Sequence, residues 1–210
     1  MDKHLNQLHQ TQLHQVQKKL CQHQFACDIF ETKQECLDYL KDRLNNRMSV
    51  SVGGSMTLFE TGIIEMLEQH RDIDYLDRYH SEDPQEIFHQ AMSCDVYLTS
   101  SNAVTLNGEL YNVDGNGNRV AAMIYGPKKV YVVCGVNKIV KDLDAAKERV
   151  RTVAAVANCL RLNKPNPCTV TGQCMDCQSS SRICSAATVL YRSHCKDRIH
   201  VLLINEELGY

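Results

Sequence analysis

The chain has 210 residues, a length typical of one sizeable domain or of two small ones. Hydrophobic residues make up 43% of it and charged residues 23%, which is the composition of a globular protein. The formal net charge of -2 at pH 7 argues against a protein that binds nucleic acid by bulk electrostatic attraction. No apolar run reaches the roughly 18 residues that a membrane-spanning helix needs, and the first residues lack the pattern of a secretory signal. We therefore expect a cytoplasmic protein without a membrane span.

The predicted elements begin with an amino-terminal helix within residues 1–24, where leucine and valine recur at helical spacing. The remaining residues, 25–210, alternate short apolar segments with segments of helical periodicity. Strands are predicted at 25–30, 48–52, 74–76, 95–100, 130–134 and 199–204. Helices are predicted after a Thr32 cap and at 57–69, 84–92, 119–125 and 143–160. The pair Asn107-Gly108 is a strong signal for a β-hairpin.

This order of elements predicts the fold class. Strands that are apolar throughout and are separated by helices indicate a mostly parallel sheet with helices on both faces. No internal repeat or long linker divides residues 25–210, so we expect one α/β domain with one principal core. A cysteine-rich segment at 165–195 belongs to this domain.

A glycine turn follows the predicted strand at 48–52. Gly53 and Gly54 would let the backbone approach a ligand closely, and Ser55 and Thr57 would add hydroxyl groups at the start of a helix. Such a turn favours an anion, because helix amino termini carry free N–H groups and a positive dipole end. Ligands of open α/β sheets bind at the edge where the strands end. The alternative is a tight turn with a helix cap and no ligand.

Further polar residues follow the neighbouring strands or lie in the glycine-rich loop after the hairpin. They could meet at the same edge of the sheet and bind a phosphorylated or carboxylated small molecule, although amides, carboxylates and glycines are also ordinary turn residues. These candidate ligand-binding residues are Asn102, Asp114, Asn118, Arg119, Asn137 and Lys138.

Eleven cysteines form two groups. Six are scattered among apolar neighbours and are interpreted as buried core residues: Cys21, Cys27, Cys36, Cys94, Cys134 and Cys159. Four others are closely spaced and could bind a metal: Cys168, Cys174, Cys177 and Cys184. Four thiolates suit either an iron–sulfur cluster or a zinc ion. The irregular spacing favours the cluster slightly, and a reactive dithiol or purely structural thiols remain as alternatives. Cys195 is expected to lie outside this set.

Three stretches together resemble the LUD family, the lactate-utilization domain proteins. They are SVGGSMTLFETGIIEML at 51–67, the segment from Thr99 to Arg151 that contains NVDGNGNRVAAMIYGPKKVYVVCGVNK, and CTVTGQCMDCQSSSRIC at 168–184. The cysteine tail is similar to that of a stand-alone branch of the family. The resemblance implies a sheet similar to that of the ribose-phosphate isomerase, glucosamine-phosphate deaminase and coenzyme A transferase superfamily. The isomerases of that superfamily use an acidic cluster, for which this sequence offers Asp114 and Glu109.

The resemblance also implies a function. Family members are associated with an iron–sulfur-containing system that oxidises lactate to pyruvate, often beside partner subunits that carry clusters. We therefore expect an accessory or redox-associated subunit in the use of lactate or related 2-hydroxy acids, which binds an anionic small molecule and carries an iron–sulfur cluster. The alternatives are an isomerase or acyl-transferring enzyme on phosphorylated or thioester substrates, with zinc or free thiols in the tail, and a module that senses a metabolite or redox state.

Overall fold

A six-stranded parallel sheet forms the centre of the molecule, which the computed structural model describes over residues 2–210. Every pairing between neighbouring strands in this sheet is parallel. In spatial order its strands are β1 (Ala26–Phe30), β10 (Ile199–Ile204), β7 (Lys129–Gly135), β4 (Val96–Thr99), β2 (Ser49–Val52) and β3 (Asp74–Leu76).

Helices connect the strands and cover the sheet. Short 3-10 turns lie at Ala91–Ser93 and Val136–Lys138. The helices are α1 (Lys3–Gln22), α2 (Lys33–Lys41), α3 (Met56–Glu60), α4 (Ile63–Gln69), α5 (Pro84–Gln90), α6 (Asn118–Ile124), α7 (Leu143–Arg149), α8 (Ala155–Arg161) and α9 (Cys168–Thr171).

The two faces of the sheet bury two separate apolar cores, because side chains alternate along each strand. On β7, Val130 and Val132 point into one core and Tyr131 and Val133 into the other. Side chains of α1 and α6 fill the first core, and those of α2, α3 and α4 fill the second. The predicted fold class, a mostly parallel α/β sheet with helices on both faces, is confirmed.

A smaller mixed sheet packs beside the first. Its strand order is β8 (Ile139–Val140), β5 (Ala103–Thr105), β6 (Leu110–Asp114) and β9 (Ala186–Leu190). Strands β5 and β6 form the hairpin that Asn107-Gly108 predicts, and Gly108 has a φ of 80°. Strand β9 lies within the cysteine-rich segment and was not predicted. It joins that segment to the domain by pairing with β6.

Three predictions about helices and cysteines need correction. The single helix predicted at 57–69 is wrong, because Gly62 with a φ of 78° separates α3 from α4. The helix predicted at 143–160 contains a wide π-type turn at Val150–Ala154. Cys21 is exposed, so its interpretation as a core residue is wrong, whereas the other five scattered cysteines are buried.

The amino-terminal helix belongs to the domain core rather than to a separate unit. Leu13, Val16 and Leu20 are buried on the side of α1 that packs against the sheet. Over residues 2–210, none of the helices combines the length and the apolar character that crossing a membrane requires.

Candidate functional site

A cavity of about 360 Å³ lies where three neighbouring strands of the large sheet end. Gly54 and Ser55 follow β2, residues 100–102 follow β4, and Lys138 follows β7. Parallel strands place their carboxyl ends at one edge, and this geometry brings the three loops together. The glycine-rich loop before α6 and the end of α8 complete the wall.

Positive side chains dominate the wall of this cavity. Asp114 is the one acidic side chain on the wall among the described residues. The cationic residues on the wall are Arg78, Arg119, Lys138, Arg161 and Lys164. Three of these, Arg78, Arg161 and Lys164, were not identified from the sequence, because they come from loops and helices with no site motif.

Arg119 neutralises the carboxylate and uses every one of its own N–H donors internally. Its Nε donates to Asp114 at 2.8 Å, and the remaining donors reach Asn112, Asn102 and the backbone oxygens of residues 100 and 113. Only 9% of the residue is exposed. Arg119 therefore positions the loops around the cavity and adds positive charge, but has no donor left for a ligand.

The glycine turn at Gly53 and Gly54 leaves room for the buried Arg119 side chain. A β-carbon on Gly53 would lie 2.7 Å from Thr99 Oγ1 and 3.1 Å from the Arg119 side chain. Glycine is therefore favoured at position 53, because Thr99 and Arg119 both pass close to the backbone there. Gly54 and Ser55 line the cavity, whereas Gly53 does not.

Residues 206–210 cover the start of α3. The Thr57 hydroxyl is buried and donates to the Leu208 carbonyl at 3.2 Å. A Glu60 carboxylate oxygen accepts from the Gly209 N–H at 2.7 Å. The amide of Asn137 donates to the Gly209 carbonyl at 2.8 Å and accepts from the Leu208 N–H at 3.1 Å. Thr57 and Asn137 therefore hold this carboxyl-terminal segment and do not reach the cavity.

Tyr210, the last residue of the segment, lines the cavity beside Arg161. Its hydroxyl oxygen is buried and has no hydrogen-bond partner within residues 2–210. Burial raises the pKa of the phenol, and the Arg161 charge counteracts the shift.

Lys138 is the most deeply buried of the cations on the wall, with 2% of its surface exposed. Its Nζ donates to Ser100 Oγ at 3.0 Å and to the main-chain oxygen of Tyr210 at 3.3 Å. Burial lowers the pKa of this amine to about 8.

The structure thus brings most of the predicted ligand-binding residues to one cavity. Gly53, Thr57 and Asn137 lie behind its wall. The predicted residues that line it are Gly54, Ser55, Asn102, Asp114, Asn118, Arg119 and Lys138.

The cysteine-rich segment folds against the long helical stretch and the cavity loop. The Cys174 N–H donates to the Arg151 carbonyl at 2.8 Å. Arg182 donates to the carbonyls of Cys177 at 2.7 Å and Cys184 at 2.9 Å, so one guanidinium links two of the candidate metal ligands. Ile183 contacts Gly115 and lines the cavity, which makes the segment part of the cavity wall.

A backbone hydrogen bond to sulfur lies within the Cys174–Cys177 turn. The backbone N–H of Asp176 donates to Cys174 Sγ at 3.4 Å, and Asp176 has a φ of 49°. Hydrogen bonds of this kind stabilise the negative charge of a bound thiolate.

Cys159 lies beside Cys168, one of the four candidate metal ligands. The sequence did not indicate this proximity. It is buried on α8 and packs with Cys168 and Ile183 in a small apolar cluster. The Asn166 amide donates to Cys159 Sγ at 3.3 Å. Burial, together with the neighbouring thiols of Cys159 and Cys177, raises the pKa of the Cys168 thiol to about 11.

The sulfurs of the candidate metal ligands are not gathered around one point. Four sulfurs about 2.3 Å from one tetrahedral zinc ion stand about 3.8 Å apart. No three cysteine sulfurs within residues 2–210 lie within 4.8 Å of one another. A four-cysteine cluster holds each thiolate on a different iron and tolerates wider spacing. The four thiols therefore do not form a preassembled tetrahedral zinc site within these residues. A surface group of Glu68, Asp77 and His80 does lie within that distance, but its exposed acids are common without a metal.

The fold and the site define an α/β protein with a positively charged cavity at the carboxyl edge of a parallel sheet and a cysteine-rich segment beside it. The chain belongs to the LUD domain family, whose family model matches residues 13–204.

One solved structure shares the fold of this chain. A DUF162 family protein from Deinococcus radiodurans is 16% identical, with a TM-score of 0.55 over 94% of this chain and 98% of that chain, which shows a shared fold. Ribose 5-phosphate isomerase from Plasmodium falciparum is 12% identical over 52% of each chain with a TM-score of 0.34, and we draw no conclusion from this partial match. No curated protein matches the chain.

Proposed function

We propose that the protein binds an anionic small molecule in the cavity at the carboxyl edge of the sheet. The observation that carries this proposal is the charge of the wall: Arg119 neutralises Asp114, the one acidic side chain, and four further cationic side chains remain. Clustered and partly buried cations repel one another, so an anion that enters lowers their free energy. The cavity volume lies within the range of small-molecule sites.

Three cations are placed to contact the ligand directly. Arg78 is half-buried and makes no hydrogen bond or ion pair within residues 2–210; its guanidinium lies over Phe88, 4.5 Å from the ring centroid. Arg161 uses Nε and one Nη to bond Asn158 and retains further donors. Lys164 makes no ion pair in the same range. The planar guanidinium group of arginine can donate two parallel hydrogen bonds to a carboxylate or a phosphate. The Tyr210 hydroxyl offers one further hydrogen bond.

Calorimetric titration tests this function. We expect lactate, pyruvate, inorganic phosphate or coenzyme A to bind, and Arg78→Gln to weaken that binding about tenfold or more, the value of one charge-assisted contact. The matched control is Arg71→Gln, which removes an exposed arginine that does not line the cavity. No binding of any of the four anions, or equal affinities of the two variants, would sink the proposal.

The second part of the proposed function concerns the cysteine-rich segment. Cys168, Cys174, Cys177 and Cys184 would hold an iron–sulfur cluster, with Cys159 as a buried neighbour. When bound, such a cluster supplies one-electron transfer. The protein's own contribution is the N–H hydrogen bond to Cys174 and the guanidinium of Arg182 beside Cys184. Burial raises the pKa of the Cys184 thiol, and the Arg182 charge opposes this shift.

These two parts together support the role that the family resemblance implies. The protein would serve as an accessory or redox-associated subunit in the use of lactate or related 2-hydroxy acids, beside iron–sulfur partner subunits. An isomerase or acyl transferase has less support, because both candidate acids are engaged. Asp114 pairs with Arg119, and Glu109 accepts from the Thr105 hydroxyl at 2.7 Å.

A further inference from the structure

Three of the cations on the cavity wall have no acidic side chain as a partner. Arg78, Arg161 and Lys164 form no ion pair with an aspartate or a glutamate within residues 2–210. Arg119, by contrast, is paired with Asp114. The charge of the three unpaired cations is therefore left for a ligand to balance.

The two unpaired arginines lie near each other. The Arg78 guanidinium lies 5.4 Å from the centroid of the Tyr79 ring. Burial raises the pKa of the Tyr79 phenol, and the charges of Arg78 and Arg161 both oppose this shift, so both charges lie near the same hydroxyl. Lys164 follows Arg161 by three residues, just after the end of α8. The loop after β3 and the end of α8 thus bring three cations to one cavity.

A phosphoryl group suits these three cations better than a carboxylate does. A phosphate monoester carries about two negative charges at pH 7 and three terminal oxygens that accept hydrogen bonds. A carboxylate carries one charge and two oxygens, which a single guanidinium can satisfy. Two arginines and a lysine around one carboxylate would therefore keep an excess of positive charge, which a phosphoryl group would largely balance.

Neutral hydrogen-bond donors lie on the same wall. Asn102 Oδ1 accepts from the Val113 N–H at 2.8 Å and from Arg119 at 3.0 Å, which fixes the orientation of the amide. Asn102 lines the cavity, and its NH2 group has no acceptor in the described part of the chain. Asn118 also lines the cavity, and its side chain makes no hydrogen bond within the same residues. Amide groups of this kind can bind hydroxyls and carboxylates without adding charge.

The cavity is also larger than a small monocarboxylate needs. Lactate has six non-hydrogen atoms. At roughly 30 Å³ each, the share of one water molecule in the liquid, they would occupy about half of the 360 Å³. A three-carbon 2-hydroxy acid that carries a phosphoryl group has nearly twice as many atoms and would fill most of this space.

We propose that the cavity binds a 2-hydroxy acid that carries a phosphoryl group. Arg78, Arg161 and Lys164 hold the phosphoryl group, and the amides of Asn102 and Asn118 bind the hydroxy acid. This inference rests on the proposed function, because it names the class of anion that the same cavity takes.

Calorimetric titration of the wild-type protein with three ligands tests the inference. Lactate, malate and 3-phosphoglycerate share a 2-hydroxy acid skeleton, and their third carbon carries only hydrogen, a carboxylate and a phosphate ester, respectively. At constant ionic strength we expect 3-phosphoglycerate to bind about a hundredfold or more tightly than lactate, since two further charge-assisted contacts contribute about tenfold each. Malate should have an intermediate affinity.

A variant and its control assign the phosphoryl group to the cations. Arg161→Gln should weaken the binding of 3-phosphoglycerate about tenfold and that of lactate much less, because a lone carboxylate can pair with Arg78. The ratio of the two affinities should therefore fall. Arg71→Gln, which removes the same charge from an exposed position outside the cavity, should leave the ratio at its wild-type value.

The outcomes separate this inference from the proposed function. Equal affinities for malate and 3-phosphoglycerate, or an unchanged affinity ratio in Arg161→Gln, would overturn the phosphoryl assignment and leave the anion site standing. Binding of lactate without any binding of 3-phosphoglycerate would have the same meaning. If no anion binds the cavity at all, both fail.

Discussion

At the residue scale, two buried cations of the same cavity behave in opposite ways. Arg119 has a carboxylate partner and acceptors for every donor, so its charge is compensated and its position is rigid. Lys138 donates to the Ser100 hydroxyl and to the main-chain oxygen of Tyr210, and burial lowers its pKa. Burying a charged amine costs free energy, because the charged form loses its contact with water.

Removing the Lys138 amine should therefore stabilise the protein. We expect Lys138→Met to raise the free energy of unfolding at pH 7 by about 1–2 kcal/mol, since the buried charge disappears and the chain length is similar. Chemical denaturation measures this change. A Lys138→Met protein that is less stable than the wild type would show that the amine is a structural group instead.

The same substitution should change how stability depends on pH. The pKa of Lys138 is about 8 in the folded protein and about 10.4 in an unfolded chain. Between these values the unfolded state binds more protons, so Lys138 makes stability rise with pH in this window. The difference in stability between Lys138→Met and the wild type should consequently shrink from pH 8 to pH 10. A constant difference would contradict the lowered pKa.

At the element scale, the carboxyl-terminal segment 206–210 completes the site by covering the start of α3. Gly209 makes this possible, because its φ is 58° and a β-carbon there would lie 2.7 Å from the Thr57 backbone nitrogen. The segment places Tyr210 on the cavity wall and supplies one of the two partners of Lys138.

Gly209→Ala should detach this segment. We expect amide hydrogen exchange at residues 208 and 209 to accelerate about tenfold or more, since their hydrogen bonds to Asn137 and Glu60 would break. Gly172→Ala is the matched control: its φ of 73° is equally unfavourable for alanine, but nothing lies within 4 Å. If both substitutions change the exchange rates equally and only slightly, the position of the segment does not depend on the close approach of Gly209 to Thr57.

The cysteine-rich segment makes a second prediction at this scale. Anaerobically purified wild-type protein should contain iron and acid-labile sulfide, and Cys174→Ser with Cys177→Ser should reduce both to near zero because two ligands are lost. The control is Cys21→Ser with Cys195→Ser, which removes two exposed thiols outside the candidate set. Zinc in place of iron, or full iron in the Cys174/Cys177 variant, would refute the proposed ligands.

At the scale of the whole molecule, the sequence predicts the sheet better than the site. The continuous apolar runs at 130–134 and 199–204 are typical of strands buried on both faces, and β7 and β10 are central strands. The sequence signal for the β-hairpin, Asn107-Gly108, likewise lies within the turn that it predicts. In each case the residues that determine the element lie within it, so a short window of sequence contains the signal.

The site depends instead on contacts between distant residues. Arg78 and Arg161 line one cavity because α8 and the loop after β3 meet there, and neither segment has a distinguishing pattern. Thr57 is covered by residues that lie far along the chain. Cys159 lies beside Cys168 because the chain reverses direction at 164–167. Residue type and spacing do not encode such proximity.

The whole molecule also joins the two candidate sites into one unit. Ile183 packs with Cys159 and Cys168 on one side, contacts Gly115 and lines the cavity. A ligand in the cavity and a cluster in the segment would therefore share a wall, and each should respond to the other.

Visible absorbance of anaerobically purified protein during titration with pyruvate or lactate tests this central claim most directly. We predict a cluster band near about 400 nm that shifts on addition of the anion in the wild type and in Arg71→Gln, and that needs at least about tenfold more anion for the same shift in Arg78→Gln. Absence of the band, or a band unchanged at saturating anion, would contradict the claim that the cavity and the cysteine-rich segment form one functional unit.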